Sequence, residues 1–421
     1  MVQILAGIAG ENAIPMLDQG VALAGVFGLG MCFALLGSIS VKLMPRLQID
    51  QGKFGTLVSI FMFSCLVASL IMGVLVDTVG FRIVGVGGFL ATAACIFLLA
   101  RGKNFGAAAV ACLLLGFGAM ALNTIGNGLL GTVLFGGDNK GAAFNIGNVF
   151  FGLGLFIAPF LISFLLRKTT FEKALTILAA IPLVLTIIPA LAPLAYKGGK
   201  FEPVVAGGLV LQPATIVAAL LLFCYIALES SFCNWLVPFG KEIISEEKPD
   251  MAPDAVDASA QRMLSVFAIA MMAGRLLNGL VLVAIPAISS NSQYIITGGG
   301  LVSALVILLM MKSKKSSMAW VAAGLAGFVF APVFPTTLGL SEPKYNPTYW
   351  GTNFGLIFAI GLLGAVLIPK MMGNMAAKSA DKSIRGSLKL LLPLCIVLAI
   401  LAVVLAIAGV SGEAKFVPVA K

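Results

Sequence analysis

Two charged side chains of this 421-residue chain, Glu229 and Arg275, lie inside hydrophobic runs. A charged group at the centre of a lipid bilayer costs at least about 2.5 kcal/mol to insert, so each side chain indicates a specific role. Glu229 is a candidate site for a proton, a cation or a hydrogen-bonding ligand. Arg275 is either the structural partner of Glu229 or a clamp for a carboxylate or phosphate, and both interpretations stay open.

Neutral polar side chains form a wider set within the same apolar runs. Amides match the donors and acceptors of hydroxyl groups, and aromatic rings pack on C–H faces, so the set suits a polyhydroxylated ligand. Amides also join helices to one another, and we expect about half of these to do only that. The set comprises Asn123, Asn127, Asn145, Asn148, Asn234, Asn278, Asn353, Tyr225 and Trp235.

Metal and redox chemistry have little support in the sequence. The chain has no histidine, which removes the commonest metal ligand. Its seven cysteines stand singly in apolar runs without a CxxC pair. We therefore predict no metal and no cofactor, and we interpret the cysteines as small buried side chains.

The composition predicts the surroundings of these residues. Hydrophobic residues make up 60% of the chain and charged residues only 10%, and the mean hydropathy is +1.08. Soluble proteins carry about 25% charged residues, so this chain is predicted to be a multi-pass, all-α protein of the lipid bilayer. Residues 1–20 lack a basic segment and contain Glu11 and Asp18, which is typical of an uncleaved tail.

Twelve apolar runs are long enough to cross a membrane, which takes about 20 residues each. A polar segment after the sixth run divides them into two six-helix halves, residues 21–195 and 212–410, joined by a linker at 196–211 and followed by a tail at 411–421. Lys241 to Arg262 is predicted to be an exposed, partly flexible loop. The runs are 21–44, 54–76, 83–100, 105–134, 142–166, 174–195, 212–239, 262–287, 293–311, 317–340, 350–372 and 387–410.

These boundaries place Glu229 and Arg275 on consecutive helices, offset by roughly 10 Å along the axis, which argues mildly against direct contact. Glycines cluster in the fourth and fifth runs, where they favour close helix packing, a rocking surface between the halves, or both. They are Gly116, Gly118, Gly126, Gly128, Gly147, Gly152 and Gly154.

The segment GVLVDTVGFR, from Gly73 to Arg82, resembles the G-x-L-x-D-x-x-G-x-R signature of the major facilitator superfamily. Gly73, Asp77, Gly80 and Arg82 match it, and the resemblance implies that they gate the protein. The glycines would permit a tight helix crossing and Asp77 would accept hydrogen bonds from a helix N-terminus. Arg82 would lock the closed state through a charge pair.

Further segments resemble the fucose/glucose–H⁺ symporter-like branch of that superfamily. They are YIALESSFCNW in the seventh helix, GRLLNG in the eighth, FAPVFPTTLGL in the tenth, GLIFAIGLLGAVLIP in the eleventh and AFNIGNVFFGLGLFIAP in the fifth. The resemblance implies two six-helix bundles around a central site and transport of a sugar or sugar-like solute by alternating access, in symport or as a uniporter. We expect a monomer in the cell membrane, which is the inner membrane if the source is a bacterium. We expect no binding of nucleic acid.

The sequence departs from this pattern at three places. Val283 stands where the second half should repeat the acid of the signature, the first helix has no acid, and Asn123 stands where the branch carries a glutamate. Asparagine does not titrate, so the usual proton coupling is in doubt. Glu229 is the remaining coupling candidate, and H⁺ symport, Na⁺ symport and uniport stay open.

The family orientation puts both termini and Asp77 in the cytoplasm. It leaves few basic residues on that side, whereas the positive-inside rule predicts most of the 27 there. We keep the family orientation because the signature loop defines it. The basic residues on the cytoplasmic side are then Arg82, Lys140, Lys197, Lys200, Lys344, Lys415 and Lys421.

Two alternatives to a sugar carrier follow. The excess of basic residues on the outer side would concentrate anions, so a sugar-acid or organic-anion transporter using Arg275 is the second hypothesis. A membrane enzyme or receptor that transports nothing is a remote third, because the chain lacks histidine and paired intramembrane carboxylates.

Overall fold

The computed structural model describes residues 15–194, 208–379 and 383–408, and these ranges contain helices and no strand. Eleven helices in them are long and apolar enough to cross a membrane. The longest, Gln51–Arg101, would extend about 76 Å as one straight helix, more than twice the hydrocarbon layer. It is divided at Gly80, whose φ of 83° is a conformation that side chains with a Cβ rarely adopt. This helix therefore accounts for two of the twelve predicted spans.

The twelve segments are numbered in chain order and form two groups of six. The first half contains α1 (Met16–Leu47), α2 (51–79), α3 (81–101), α4 (Phe105–Val133), α5 (Lys140–Lys168) and α6 (Phe171–Leu191). The second half contains α7 (Pro213–Glu247), α8 (Pro253–Ala284), α9 (Gln293–Lys312), α10 (Ser316–Lys344), α11 (Trp350–Lys378) and α12 (Arg385–Ile407).

Polar N-caps begin several of these helices. The side chains of Asp50, Asn104 and Asn139 accept hydrogen bonds from backbone N–H groups in the first turns of α2, α4 and α5. Such caps satisfy donors that have no partner inside the helix. They place the helix starts close to where the hydrophobic pattern predicts them.

Two segments are interrupted near their middle or towards one end. α5 consists of Lys140–Gly147 and Val149–Lys168, and the first two pieces of α10 are Ser316–Phe330 and Val333–Ser341. Pro335 in α10 has no N–H, so the carbonyl of Ala331 lacks its usual helical donor. Both interruptions leave backbone groups available to a side chain from a third helix.

The predicted loop from Lys241 to Arg262 is mostly helical, so that prediction is wrong. α7 continues to Glu247 and α8 begins at Pro253, which leaves a connection of residues 248–252. The charged residues lie on the ends of the two helices, where Lys241 pairs with Asp257 at 2.7 Å. A charged segment can stay helical when its charges find such partners outside the lipid.

The outer boundaries are only partly described. α1 begins at Met16, so part of the predicted tail 1–20 is helical, with Asp18 in the first turn. Residues 1–14, residues 196–207 of the predicted linker and the predicted tail 411–421 lie outside the described ranges.

The halves meet along two seams. One is formed by α2 and α11, and the other by α5 with α8 and α10. The hydrogen bonds that join the halves within the described ranges lie near the middle of the molecule or at the end that carries Asp77, Lys140 and Glu342. We call this end the Asp77 face and the other end the opposite face. Between the centre and the opposite face, Gly37 of α1 and Cys233 of α7 are exposed.

Candidate functional site

Arg275 on α8 lies at the centre of the seam and is almost fully buried. Its guanidinium donates to the carbonyl oxygens of Asn148 (3.3 Å) and Ala331 (3.4 Å), the residues at the interruptions of α5 and α10. It also donates to the Tyr225 hydroxyl at 3.4 Å, and its Nη2 lies 3.7 Å from Oε1 of Glu229. Arg275 therefore supplies a donor to the Ala331 carbonyl, which lacks its helical one, and adds a second donor to the Asn148 carbonyl, which accepts only a long bond from Gly152, so it reaches both halves.

Glu229 and Arg275 contact each other, although the predicted axial offset argued mildly against it. α7 ends eight residues later than predicted and α8 begins nine residues earlier, so an offset of about four residues, or about 6 Å, remains between them. The long arginine side chain covers the remaining offset. Tyr225 and Glu229 both meet the Arg275 guanidinium, so the three side chains form one polar group centred on the arginine.

An amide chain continues from this group into the first half. The Asn148 side chain donates to Asn127 at 2.9 Å, and Asn127 donates to Asn123 at 2.8 Å. All three are buried on α4 and α5. The position at which the resemblance places a glutamate, Asn123, is thus linked to Glu229 by consecutive polar contacts through Arg275.

A second polar cluster lies next to this chain on the α5 seam. Asn145 of α5 and Asn278 of α8 both donate to the hydroxyl of Thr336 on α10, at 3.1 and 3.4 Å. Thr336 is fully buried, and the Oδ1 atom of Asn145 has no hydrogen-bond partner among the described residues. Eight of the eleven predicted site residues therefore lie in these two connected groups.

Three predicted residues lie outside the groups. Asn234 is exposed and donates to the Ser230 carbonyl of its own helix. The Trp235 indole donates to the Pro369 carbonyl, which joins α7 to α11 within one half. Asn353 is buried and accepts from Thr215, again between α7 and α11. We interpret Trp235 and Asn353 as packing residues.

Aromatic side chains surround the centre from both halves. The Phe151 ring of the first half lies 5.5 Å from the Arg275 guanidinium, within cation–π range, and 6.2 Å from Phe33. On the other side, Tyr225 stacks on Phe334, which contacts Phe358. Apolar rings with a few polar groups between them are typical of a small-molecule site.

Two side chains of α7 near the centre keep some exposure. Glu229 is 23% exposed although Arg275 beside it is 3% exposed. Cys233, one helical turn further along α7, is also exposed, so the prediction that every cysteine is buried is wrong for this one. The six other cysteines are buried.

The Asp77 carboxylate joins the two halves at the Asp77 face. It accepts hydrogen bonds from the backbone N–H of Gly351 (2.8 Å) and of Thr352 (2.6 Å), and from the Thr352 hydroxyl (2.6 Å). These groups form the N-terminus of α11, where a negative charge is stabilised. The contacts have the form expected from the sequence, and the gating role stays a prediction.

The glycines of the signature allow this contact. Gly73 packs directly on Gly351 and Gly355, and a Cβ on any of the three would overlap the facing backbone or side chains. Gly80 provides the positive φ at which α2 ends.

Among the residues that the structure describes, Arg82 has no charge partner in the second half. It donates to the Ala192 carbonyl at 2.5 Å, at the end of α6 in its own half. Ala192 ends the short terminal helix of α6, whose last carbonyl groups lack helical partners, and the guanidinium satisfies one of them. The role of Arg82 within this structure is to hold the first half together.

The sequence interpretation missed one buried ion pair across the seam. Lys140 at the start of α5 contacts Glu342 at the end of α10 at 2.8 Å, and Glu342 is 7% exposed. A cavity of about 600 Å³ at the Asp77 face is lined by both of them together with Asp18, Asp77 and Trp350. The sequence gives only a weak indication of this pair, because an acid followed by a proline at a helix end, as at Glu342, is also typical of an ordinary loop.

Metal chemistry has no support in the described part of the chain, which contains no group of three His, Cys, Asp or Glu residues able to hold an ion. The central polar groups are amides, hydroxyls and one opposed charge pair. They can bind a hydroxylated solute or exchange a proton at Glu229.

The Major Facilitator Superfamily model matches residues 21–369 of the chain. The fold is similar to that of the E. coli fucose:proton symporter FucP in a mutant form, with a TM-score of 0.70 and 16% identity over 91% of this chain and 98% of that one. It is also similar to FucP in the outward conformation, with a TM-score of 0.73, 15% identity and the same coverage. At this identity the likeness concerns the fold, and no curated protein matches the sequence.

Proposed function

Because the chain belongs to the Major Facilitator Superfamily, we propose that it carries a small polar solute, a sugar or sugar-like compound, across the cell membrane by alternating access. The observation that carries the proposal is the central group of Glu229, Arg275 and Tyr225, which meets interrupted helices where the halves join. Interrupted helices near the midplane, at the interface of repeats, are where such transporters bind their solutes.

The chemistry of the group favours a neutral solute. The Arg275 charge already faces Glu229 at 3.7 Å, and its donors reach two carbonyls and a phenol. An anion would have to displace these partners from a side chain that is 3% exposed. Hydroxyl groups, in contrast, can share hydrogen bonds with Tyr225 and the neighbouring amides without breaking the charge pair.

Glu229 is the proposed coupling site. It is the acid next to the buried arginine, and its partial exposure allows a proton to reach it from the opposite face. A proton on Glu229 would remove the charge that opposes Arg275, leaving the guanidinium to the Asn148 carbonyl and the Phe151 ring in the first half. Solute and proton would then act on the same contact between the halves.

Two features support closure at the Asp77 face. Asp77 holds the α11 N-terminus, and the similar FucP structure is described as outward. We propose that the Asp77 face is cytoplasmic, as in the family pattern, so that the structure corresponds to an outward-open state.

Uptake by the purified protein in liposomes tests the function. A panel of neutral sugars, sugar acids and other organic anions is offered under an imposed pH gradient, an imposed Na⁺ gradient or neither. We expect a neutral sugar to accumulate above the level in empty vesicles, with stimulation by the pH gradient. If no sugar enters above that level, the sugar proposal is wrong.

The anion alternative has its own arm in the same assay. Arg275→Gln should abolish binding of any anion that the panel reveals, if Arg275 is its clamp. Unchanged anion binding rules that role out. If no solute of the panel enters above the level in empty vesicles, the remote hypothesis of a membrane enzyme or receptor is the one that remains.

A further inference from the structure

We propose that Lys140 and Glu342 form a second latch across the halves, which takes the place of the signature that is incomplete at Val283. The inference rests on the alternating-access part of the proposed function and not on the identity of the solute. It assigns gating roles to two residues outside the signature loop.

The first step is the geometry at the two seams. On one seam Asp77 at the end of α2 binds the N-terminus of α11. On the other seam the end of α8 faces the N-terminus of α5, and Asn139 there donates to the Leu282 carbonyl at 2.7 Å. The next residue, Val283, cannot accept a hydrogen bond with its side chain. An acid is therefore missing where symmetry would place one.

The second step is that α10 provides an acid at the same helix N-terminus. Oε1 of Glu342 lies 2.8 Å from Nζ of Lys140, the first residue of α5. This carboxylate is held by the lysine charge, whereas Asp77 is held by backbone N–H groups of α11. The second acid is thus present, but it comes from α10 instead of α8.

The third step is that glycines around Glu342 and Lys140 leave room for their side chains at the seam. Oε2 of Glu342 packs against Gly131 of α4, where a Cβ would overlap the carboxylate. That oxygen has no hydrogen-bond partner among the described residues, so Lys140 is the group that compensates the buried charge. Gly141 and Gly339 also pack backbone to backbone beside the pair. Separation of the halves would expose the carboxylate to water, and only the closed state requires the lysine.

The test measures how often the Asp77 face opens. Leu282 is fully buried and packs on Gly141 across the seam, so a cysteine there reacts with a membrane-impermeant maleimide only when the halves separate. The background is Cys233→Ser with Leu282→Cys, which leaves six buried cysteines besides the probe. Labelling is followed in reconstituted protein without solute, and melting temperature is recorded for each variant.

We expect Glu342→Gln and Lys140→Met each to raise the labelling rate by about fivefold or more, the lower end of usual coupling between sites. The double variant should label no faster than either single variant, because each residue acts through the other. Lys241→Met breaks an exposed pair within one half and should leave the rate unchanged.

Asp77→Asn separates failure of the latch from failure of the proposed function. If Asp77→Asn raises labelling and the two single variants do not, the second latch is wrong. If the single effects multiply in the double variant, the residues do not act as a pair. If no variant, Asp77→Asn included, changes the rate, then alternating access at this face is also wrong.

Discussion

Arg275 shows why a charged residue in a membrane helix cannot be assigned from its position alone. It has the appearance of an anion clamp in the sequence, yet its donors are occupied by Glu229, Tyr225 and two carbonyl oxygens. A buried side chain with a hydrogen-bond partner at each of its three nitrogens is a structural centre first, and a solute can act on it most directly by changing one of its partners. Glu229 is the partner that a proton can change.

At this scale we predict that Glu229→Gln uncouples transport without abolishing it. A glutamine keeps the shape and a polar oxygen that can face Arg275 but carries no exchangeable charge, so a pH gradient should no longer drive accumulation. Solute exchange across liposomes that contain solute on both sides should continue at a rate within about tenfold of wild type, well below the roughly 10²–10⁴-fold loss that removal of an essential acid–base group causes.

The measurement compares gradient-driven uptake with exchange for the same preparation. Asp257→Asn, an exposed acid on α8, is the matched control and should retain both activities. Accumulation by Glu229→Gln equal to that of wild type would contradict a coupling role for Glu229.

The glycines of α4 and α5 serve different purposes, which is visible only at the scale of whole helices. Gly126 and Gly154 pack against α1 within the first half, whereas Gly128 contacts Trp350 and Gly152 contacts Met272 in the second half. The first pair holds a bundle together, and the second pair lies where the two halves face each other. The packing interpretation therefore applies to the first pair, and a rocking surface at the second pair stays a prediction.

Helix packing within the first half gives the second prediction. A Cβ at Gly154 would overlap the Phe27 carbonyl of α1, and overpacking of this kind costs about 1–3 kcal/mol. Gly154→Ala should therefore lower the melting temperature of the purified protein, measured in one detergent. Gly37→Ala, on α1 with open space around it, is the matched control and should not lower it. A Gly154→Ala protein as stable as wild type would show that the close crossing of α1 and α5 is not needed.

The charge of the whole molecule is distributed unevenly. The chain has a formal net charge of +10, and at the opposite face several acids lie in ion pairs such as Arg46–Glu172 and Arg385–Glu242. The surplus of lysine and arginine there creates a positive field at the opposite face. Such a field speeds the approach of anions and has no effect on neutral sugars.

Salt dependence therefore distinguishes the two solute classes. For a neutral sugar found in the uptake panel, we expect KM to change by less than about twofold between 10 mM and 150 mM salt, since screening over a Debye length of about 8 Å does not act on an uncharged solute. The measurement is initial uptake at constant pH and osmolarity. A KM that rises steeply with salt would indicate an anionic solute and favour the alternative.

The hydrophobic pattern predicts the twelve spans well, because lipid imposes a minimum helix length that composition alone reveals. Helix ends are less predictable, as α7 illustrates, since a charged segment remains helical when partners such as Asp257 are near. The candidate residues were found from the free-energy cost of placing a polar side chain in lipid. This cost identifies polar groups inside the apolar runs but does not indicate which of them are in contact. By this criterion Asn353 and Asn148 are equivalent. Only the packed structure shows that Asn148 lies in the central amide chain and that Asn353 joins α7 to α11.

Glu229 and Arg275, Asp77 and its glycines, and the division into two halves were all determined by the sequence, because burial of charge and helix length are properties of local composition. The tertiary structure alone decided which polar groups form one chain from Asn123 to Glu229, and that Lys140 meets Glu342. These contacts join residues far apart in the chain, up to 202 positions for the ion pair, so no local pattern encodes them. They depend on how the two halves are docked, which is also what a transporter must change as it works.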